Sequence, residues 1–312
     1  MEAISCVGCG TIGSSWASLF AWKGYKVKVY DVNINFKEIT KTTWTILKVL
    51  QEIEGEKEDI ENALDRITFS ETLEDAVSDV WYVQESVIED YKIKTSLFKK
   101  MDEFSAPETI LATSTSGLRI SEIQKAAKNY PERCITVHPF NPPHLIPLAE
   151  VVPGKLTNEA TVKKTLSFME VLGKKPVLVK KDIPGMIANR LTAALWREAI
   201  DLVCSGVATP EEIDIAVKYG PGLRWAVTGV FLTYHLGGGP GGMRHFLESL
   251  RESFKLRWRD LAKWSDYPQG SFERILEQMD NYKTLKKFTY EELTRWRDEK
   301  IARILKLVSD DP

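Results

Sequence analysis

The stretch Ile4-Ser5-Cys6-Val7-Gly8-Cys9-Gly10-Thr11-Ile12-Gly13-Ser14-Ser15-Trp16-Ala17 decides how the rest of the chain is read. Residues 3–7 are a short apolar run, three glycines follow in the spacing G-x-G-x-x-G, and residues 14–22 place apolar side chains on one face before Gly24 stops the helix. Residues 26–31, Lys-Val-Lys-Val-Tyr-Asp, alternate as a half-buried strand does. Strand, glycine turn, helix and strand make a parallel βαβ unit in which each glycine has a task. Gly8 permits the tight turn, Gly10 lets a pyrophosphate approach the backbone, and Gly13 lets helix and strand pack closely. The backbone at Thr11 and Ile12 opens the helix, whose free N–H groups and positive dipole end hold phosphate. Asp31, about 20 residues on, ends the second strand, where a carboxylate accepts hydrogen bonds from a ribose 2′-hydroxyl and repels a 2′-phosphate. No arginine follows within residues 32–35, so the expected dinucleotide is NAD rather than NADP.

Outward from this unit the alternation continues. Helices are expected over residues 36–52 and 59–66, a buried strand over 80–84, a helix over 91–104, a strand over 110–113, a helix over 120–127 and a strand over 134–138. After the proline-rich residues 139–147, one more helix over 159–172 and a strand over 176–179 follow. The register changes at Asp182-Ile183-Pro184-Gly185, and beyond it only helical periodicity is found, over 187–203, 210–218, 226–236 and 243–250 and in charged helices to the end. The expected fold is α/β: a Rossmann-type doubly wound sheet over residues 1–183 followed by an all-α domain over 184–312.

A chain of 312 residues is long enough for two cores, and its 43% hydrophobic and 28% charged residues belong to a folded globular protein. With 42 basic against 44 acidic side chains, the balance gives no electrostatic footprint for nucleic acid or a membrane surface, and points to a small-molecule partner. No segment approaches the ~20 apolar residues of a membrane helix, and the opening MEAISCVGCG has no basic n-region. Cys6, Cys9, Cys134 and Cys204 are too few and too scattered for a disulfide framework, so a reducing, cytoplasmic setting is expected. Cys6 and Cys9 make a C-x-x-C without a second ligand pair, and no metal is expected.

The second constellation is His138-Pro139-Phe140-Asn141-Pro142-Pro143, with Glu150 further along. His138 closes a strand at the carboxyl edge of the sheet, where ligands bind in such folds. An imidazole there can take a hydroxyl proton near neutral pH, and a carboxylate on its other nitrogen would fix the tautomer and stabilise the imidazolium. The spacing is equally compatible with a strand-end histidine satisfied by backbone. His144, His235 and His245 have no ligand-like spacing to acidic or cysteine partners.

The ordered set GCGTIGSSWA, ATSTSGL with Ser116, HPFNPP with Glu150 in PLAEVVPG, and IPGMIANRL resembles the 3-hydroxyacyl-CoA dehydrogenase family from about Ile4 to Phe246. The resemblance implies NAD-dependent oxidation of a 3-hydroxyl and a homodimer formed by the helical domain. It implies that His138 is the general base and Glu150 its partner, that Ser116 and Asn189 hold the substrate oxygen, and that Glu85 and Lys94 stand on the cofactor side together with Ser116. Members acting on acyl-CoA carry HFFNPV and a lysine-rich insertion after the first βαβ unit; here HPFNPP and the acidic residues 51–59 stand instead. A polyanionic CoA tail would be repelled by such a run.

Within the family the strings LRWA, FLTYHL and GGMRHF resemble the small-substrate branch, which contains L-gulonate and L-carnitine 3-dehydrogenases and a crystallin relative. That resemblance implies a compact 3-hydroxy carboxylate, L-carnitine before L-gulonate or 3-hydroxybutyryl-CoA. Trp196, Trp225, Phe231 and Tyr234 are candidates to face a quaternary ammonium, Arg224 and Arg244 to pair with a carboxylate, and Asn141 to touch substrate. The aromatic residues serve equally as helix-packing core, and the arginines as surface charges. A non-catalytic, crystallin-like NAD-binding protein would need the glycine loop but not His138, Glu150, Ser116 and Asn189.

Overall fold

The computed structural model describes residues 2–33, 35–55 and 58–308; Ile34 of the segment after Asp31, and Glu56 and Lys57 of the acidic run, lie outside the described residues. The chain divides into two compact units, Met1–Arg190 and Leu191–Pro312.

The first unit runs β1 (Ala3–Val7), α1 (Thr11–Trp22), β2 (Lys26–Tyr30), α2 (Phe36–Glu54), α3 (Ile60–Asp65), β3 (Ile67–Phe69), α4 (Leu73–Val77), β4 (Tyr82–Glu85), α5 (Tyr91–Phe104), β5 (Ile110–Thr113) and α6 (Ile120–Ile123). It continues with β6 (Cys134–Pro139), β7 (Leu148–Pro153), α7 (Glu159–Val171) and β8 (Lys175–Leu178). Helix starts are written locally: Asn35, Asp59, Thr72, Asp90 and Asn158 each cap a first turn with a side-chain oxygen.

The strands form an eight-stranded sheet in the order β3-β2-β1-β4-β5-β6-β7-β8, parallel throughout except between β6 and β7. The order reverses between β1 and β4, so a crevice opens beyond their carboxyl ends, where doubly wound sheets bind ligands. Apolar faces close the layers on both sides. Trp16 and Phe20 of α1 stack at 5.3 Å, Phe20 and Phe168 of α7 at 5.8 Å, and Tyr82 of β4 meets Phe168 at 4.8 Å. Phe98, Met101, Ile120 and Ile123 fill the other side with Val83 and Leu111.

Several details depart from the sequence reading. The helix after the glycine turn begins at Thr11 rather than residue 14, so Gly13 lies inside it. The helix over 120–127 is one α turn followed by a 3₁₀ turn, Gln124–Ala126. The edge strand β3 and the antiparallel β7 were not anticipated. In the acidic run, Glu54 pairs with Lys23 at 2.7 Å, Glu58 with Arg66 at 2.9 Å, and Asp59 caps α3. These charges are locally satisfied, and the repulsion of a CoA tail does not rest on them.

The second unit is helical: α8 (Ala188–Cys204), whose first turn belongs with the first unit, then α9 (Pro210–Tyr219), α10 (Pro221–Gly237), α11 (Gly242–Asp260), α12 (Ser271–Met279) and α13 (Tyr290–Val308). The helix expected over 226–236 starts earlier, at Pro221, and is broken at Gly229, whose φ of 64° leaves the helical region. The helix expected to stop at residue 250 runs to Asp260. No helix among the described residues is long and apolar enough to cross a membrane.

Candidate active site

The glycine loop is short and tightly determined. Gly8 has φ 91°, and a Cβ there would sit 2.7 Å from the backbone of Ser86, just past β4. A Cβ on Gly13 would fall 1.8 Å from the carbonyl oxygen of Gly8, whereas Gly10 has nothing within 4 Å. The loop is thus closed toward the sheet and open outward at Gly10, and no side chain caps the start of α1. An anion can approach the free N–H groups of Thr11, Ile12 and Gly13, which is what a dinucleotide pyrophosphate needs.

Asp31 stands beside this loop, at the end of β2. Its Oδ2 accepts the Cys9 N–H at 2.7 Å and its Oδ1 accepts the Asn33 N–H at 3.0 Å, so it braces the glycine turn. The Cys9 thiol is pushed up to about 12 by burial and by the Asp31 charge, which keeps it protonated. Replacing Asp31 by Ala should lower the preference for NAD over NADP by about 1–3 kcal/mol. Fluorescence titrations with NADH and NADPH measure it, and an unchanged ratio would mean that the carboxylate serves only the loop.

Beyond the carboxyl ends of β1, β4, β5 and β6 lies a cleft of about 490 Å³ lined by Ile12, Ser86, Val87, Glu89, Lys94, Ser114, Ser116, His138, Pro139, Phe140, Asn141 and Asn189. Its size suits a small ligand with part of a cofactor. The floor is organised by a buried polar chain: the Tyr82 hydroxyl donates to Gln84 Oε1 at 2.6 Å, Gln84 Nε2 to Ser114 Oγ at 2.7 Å, and Ser114 meets Ser86 at 2.8 Å. Each polar group has a partner, so the strand ends are held in one arrangement.

His138 and Glu150 are direct partners across the antiparallel β6–β7 pair. Side chains opposite one another on such a pair share a face, and His138 Nδ1 lies 2.9 Å from Glu150 Oε2. The ring packs edge-on against Phe140. The other carboxylate oxygen, Oε1, accepts the N–H groups of Ile187 and Ala188 at 2.9 and 3.0 Å. Burial tends to raise the Glu150 pKa, but His138 and these two N–H groups outweigh it and hold the carboxyl below the usual range. The segment before α8 turns through Gly185 at φ 73° and Met186 at φ 50°, a left-handed conformation a methionine rarely takes. Met186 is buried against Val152 and Val179, which helps hold it there. The turn aims N–H groups 187 and 188 at Glu150 and brings Asn189, in the first turn of α8, to the cleft.

The other expected site residues fall into two groups. Ser116, Lys94 and Asn141 line the cleft. Glu85 does not: its carboxylate is fully buried, bonded to Lys94 Nζ at 2.6 Å, the Val87 N–H at 2.6 Å and the Thr113 hydroxyl at 2.6 Å. The sequence reading missed Glu89. Its Oε1 accepts the Thr115 hydroxyl at 2.6 Å and the N–H groups of Ser116 and Gly117 at 2.9 and 2.8 Å, thereby placing Ser116. Burial works against its charge, but these donors and Lys94 prevail and lower its pKa. A glutamate four residues past the strand end was the one available signal.

In the second unit, Tyr234 does not stand free for a ligand but stacks on Phe246 at 4.7 Å and meets Phe254 edge-on. Among the described residues, Trp196, Trp225, Phe231 and Tyr234 make no ring contact with one another. Phe231 is 81% exposed, and Arg224 and Arg244 are exposed.

The family model for the 3-hydroxyacyl-CoA dehydrogenase NAD-binding domain matches residues 3–183, and that for the 3-hydroxyacyl-CoA dehydrogenase C-terminal domain matches residues 185–278. An L-carnitine dehydrogenase of Oceanobacillus iheyensis is 37% identical over 314 residues, covering 99% of this chain and 99% of its own. One from Streptomyces coelicolor is 42% identical over 266 residues, 84% of this chain and 81% of its own. Among solved structures, a 5-formyl-3-hydroxy-2-methylpyridine 4-carboxylic acid 5-dehydrogenase, described as an NAD+-dependent dismutase, superposes with a TM-score of 0.81 at 30% identity over 100% of both chains. The (S)-3-hydroxybutyryl-CoA dehydrogenase of Ralstonia eutropha superposes with a TM-score of 0.66 at 25% identity, over 90% of this chain and 93% of its own.

Proposed function

The chain belongs to the 3-hydroxyacyl-CoA dehydrogenase family and is an NAD-dependent oxidoreductase, and from that premise we propose that it oxidises the 3-hydroxyl of L-carnitine to the ketone. The observation that carries the chemistry is the His138–Glu150 pair, 2.9 Å apart at the edge of a cleft that adjoins the glycine loop. The substrate is supported by relatives named L-carnitine dehydrogenases that match nearly the whole chain.

With Nδ1 donating to the carboxylate, Nε2 of His138 is the free base that takes the hydroxyl proton. Glu150 keeps that tautomer and stabilises the imidazolium that forms. Ser116 and Asn189 hold the substrate oxygen, and Asn141 and Phe140 bound the reacting carbon. Gly8, Gly10, Thr11, Ile12 and Gly13 receive the pyrophosphate of NAD and Asp31 its ribose, while Glu89 bounds the far side of the cleft and Lys94 pairs with Glu85 beneath it. When bound, NAD supplies the two-electron acceptor.

Trp196, Trp225, Phe231 and the two arginines Arg224 and Arg244, all in the helical domain, are proposed as candidates for substrate contact. That domain exposes Leu223, Val227, Phe231, Trp258 and Leu276 and buries few apolar side chains of its own, which supports a homodimer in which a second copy covers them. Four free cysteines support a reducing, cytoplasmic location.

The test is NADH formation on a panel of 3-hydroxy compounds. L-Carnitine should show a kcat/KM at least about tenfold above L-gulonate and 3-hydroxybutyryl-CoA, the discrimination a cationic head in a matched pocket allows. Turnover of the CoA ester with none of carnitine would return the chain to the acyl-CoA members.

A further inference from the structure

The loop between β6 and β7, residues 140–147, carries Phe140 and Asn141 into the cleft, yet it is anchored to neither strand alone. Its backbone turns on itself, with the N–H groups of Leu145 and Ile146 both donating to the Pro142 carbonyl at 3.0 Å. Two outside groups then seize it. The ammonium of Lys174, 6% exposed, donates to the carbonyls of Pro143 and Ile146, the latter at 2.9 Å. Ser15 Oγ accepts the His144 N–H at 2.9 Å and lies 2.8 Å from His144 Nδ1, so that with Nδ1 unprotonated the hydroxyl donates back to the ring.

Both anchors reach the same helix. Ser15 lies on α1 two residues past Gly13, and Lys174 Nζ lies 5.1 Å from the ring centroid of Trp16, the next residue. Ser15 and Trp16 are buried, so water does not compete for these contacts. Burying an ammonium is costly unless it is hydrogen-bonded; here burial and the nearby Lys23 charge push Lys174 down to about 7. The two carbonyls it holds bracket His144 and Leu145 in the loop. The helix that receives phosphate at its N-terminus is thus joined, one turn further on, to the loop that shapes the substrate side.

We propose that Ser15, His144 and Lys174 act together as positioning residues, tying the 140–147 loop to α1 so that filling the glycine loop steadies Phe140 and Asn141 in the cleft. Coupling of this kind is a differential interaction between two sites through one bonded element. The proposal takes its cofactor from the family and its substrate side from the reading above, but its primary test needs no substrate.

Amide hydrogen exchange of the peptide spanning residues 140–147 would be followed with and without NADH in the wild-type protein and in Ser15→Ala. The wild type should show slowed exchange at His144–Ile146 on NADH binding. Ser15→Ala should bind NADH within about threefold of wild type, lose most of that slowing, and raise the substrate KM by about fivefold or more with a smaller change in kcat. Lys174→Met, a neutral side chain of similar length, should speed exchange of the same peptide whether or not NADH is present. Loop exchange that ignores NADH in the wild type, or slowing that persists in Ser15→Ala, would overturn the proposal. Failure of L-carnitine as substrate would leave the exchange result standing and discard only the substrate reading.

Discussion

His138→Ala should lower kcat by at least the ~10²-fold typical of a lost general base while the dissociation constant for NADH stays within experimental error of wild type. The separation is expected because His138 lies next to the last residue of β6 while the glycine loop follows β1, and no hydrogen bond joins His138 to the loop among the described residues. Stopped-flow turnover and NADH titration on the same preparation measure both. A parallel loss of cofactor affinity would mean that the imidazole holds cofactor rather than a proton. Glu150→Gln refines this result. Its carboxyl is held below the usual range and is ionised wherever activity is measured, so the amide removes a full negative charge from the ring's neighbour. The imidazolium loses that stabilisation, and the acidic limb of the kcat/KM profile should move to lower pH, with a reduced plateau. The neutral amide also weakens acceptance of the Ile187 and Ala188 N–H groups, so Asn189 should contribute less to substrate binding.

Lys94→Met should destabilise the protein by about 3–5 kcal/mol in urea unfolding, the usual cost of leaving one member of a buried ion pair unpaired. Lys94 and Glu85 are both almost wholly shielded from water, and Glu85 would keep only the Val87 N–H and the Thr113 hydroxyl. Glu85→Gln combined with Lys94→Met should recover most of that loss, because no uncompensated charge remains. If instead Lys94→Met were stable and lost only NADH binding, the pair would belong to the cofactor site and not to the frame beneath it. Glu89, which faces the cleft, gives the contrast. Glu89→Gln should cost less stability than Lys94→Met and loosen Ser116.

What could be read ahead of the structure was what depends on neighbours in sequence. The glycine turn and the runs 91–104 and 110–113 are local patterns, and each needs only adjacent side chains to be recognisable. Pairing across the sheet is not local. β3 has three residues, too few to show alternation, and β7 is a buried strand between prolines that reads like the end of a turn. The distinction between Glu85 and Glu89 is set by which way β4 ends. Position 85 ends a strand that is buried along its whole length, and position 89 has left the strand. The left-handed Met186 follows from packing against Val152 and Val179, which no short window contains.

The distance between base and carboxylate in this protein is a property of strand register, not of the chain that joins them. His138 and Glu150 face each other because β6 and β7 pair as they do; one step of slip would set Ala149 or Val151 opposite the ring and turn the carboxylate to the other face of the sheet. The connecting segment can therefore be lengthened, shortened or rewritten while the acid–base pair stays where it is, provided the ladder and the points that fasten the loop are kept. On the proposed function, chemistry and selectivity would be carried by separable parts of one hairpin: the paired strands would keep the reaction, and the residues between them could be retuned for a different molecule. A chimera carrying another family member's hairpin loop on these strands would test that division directly.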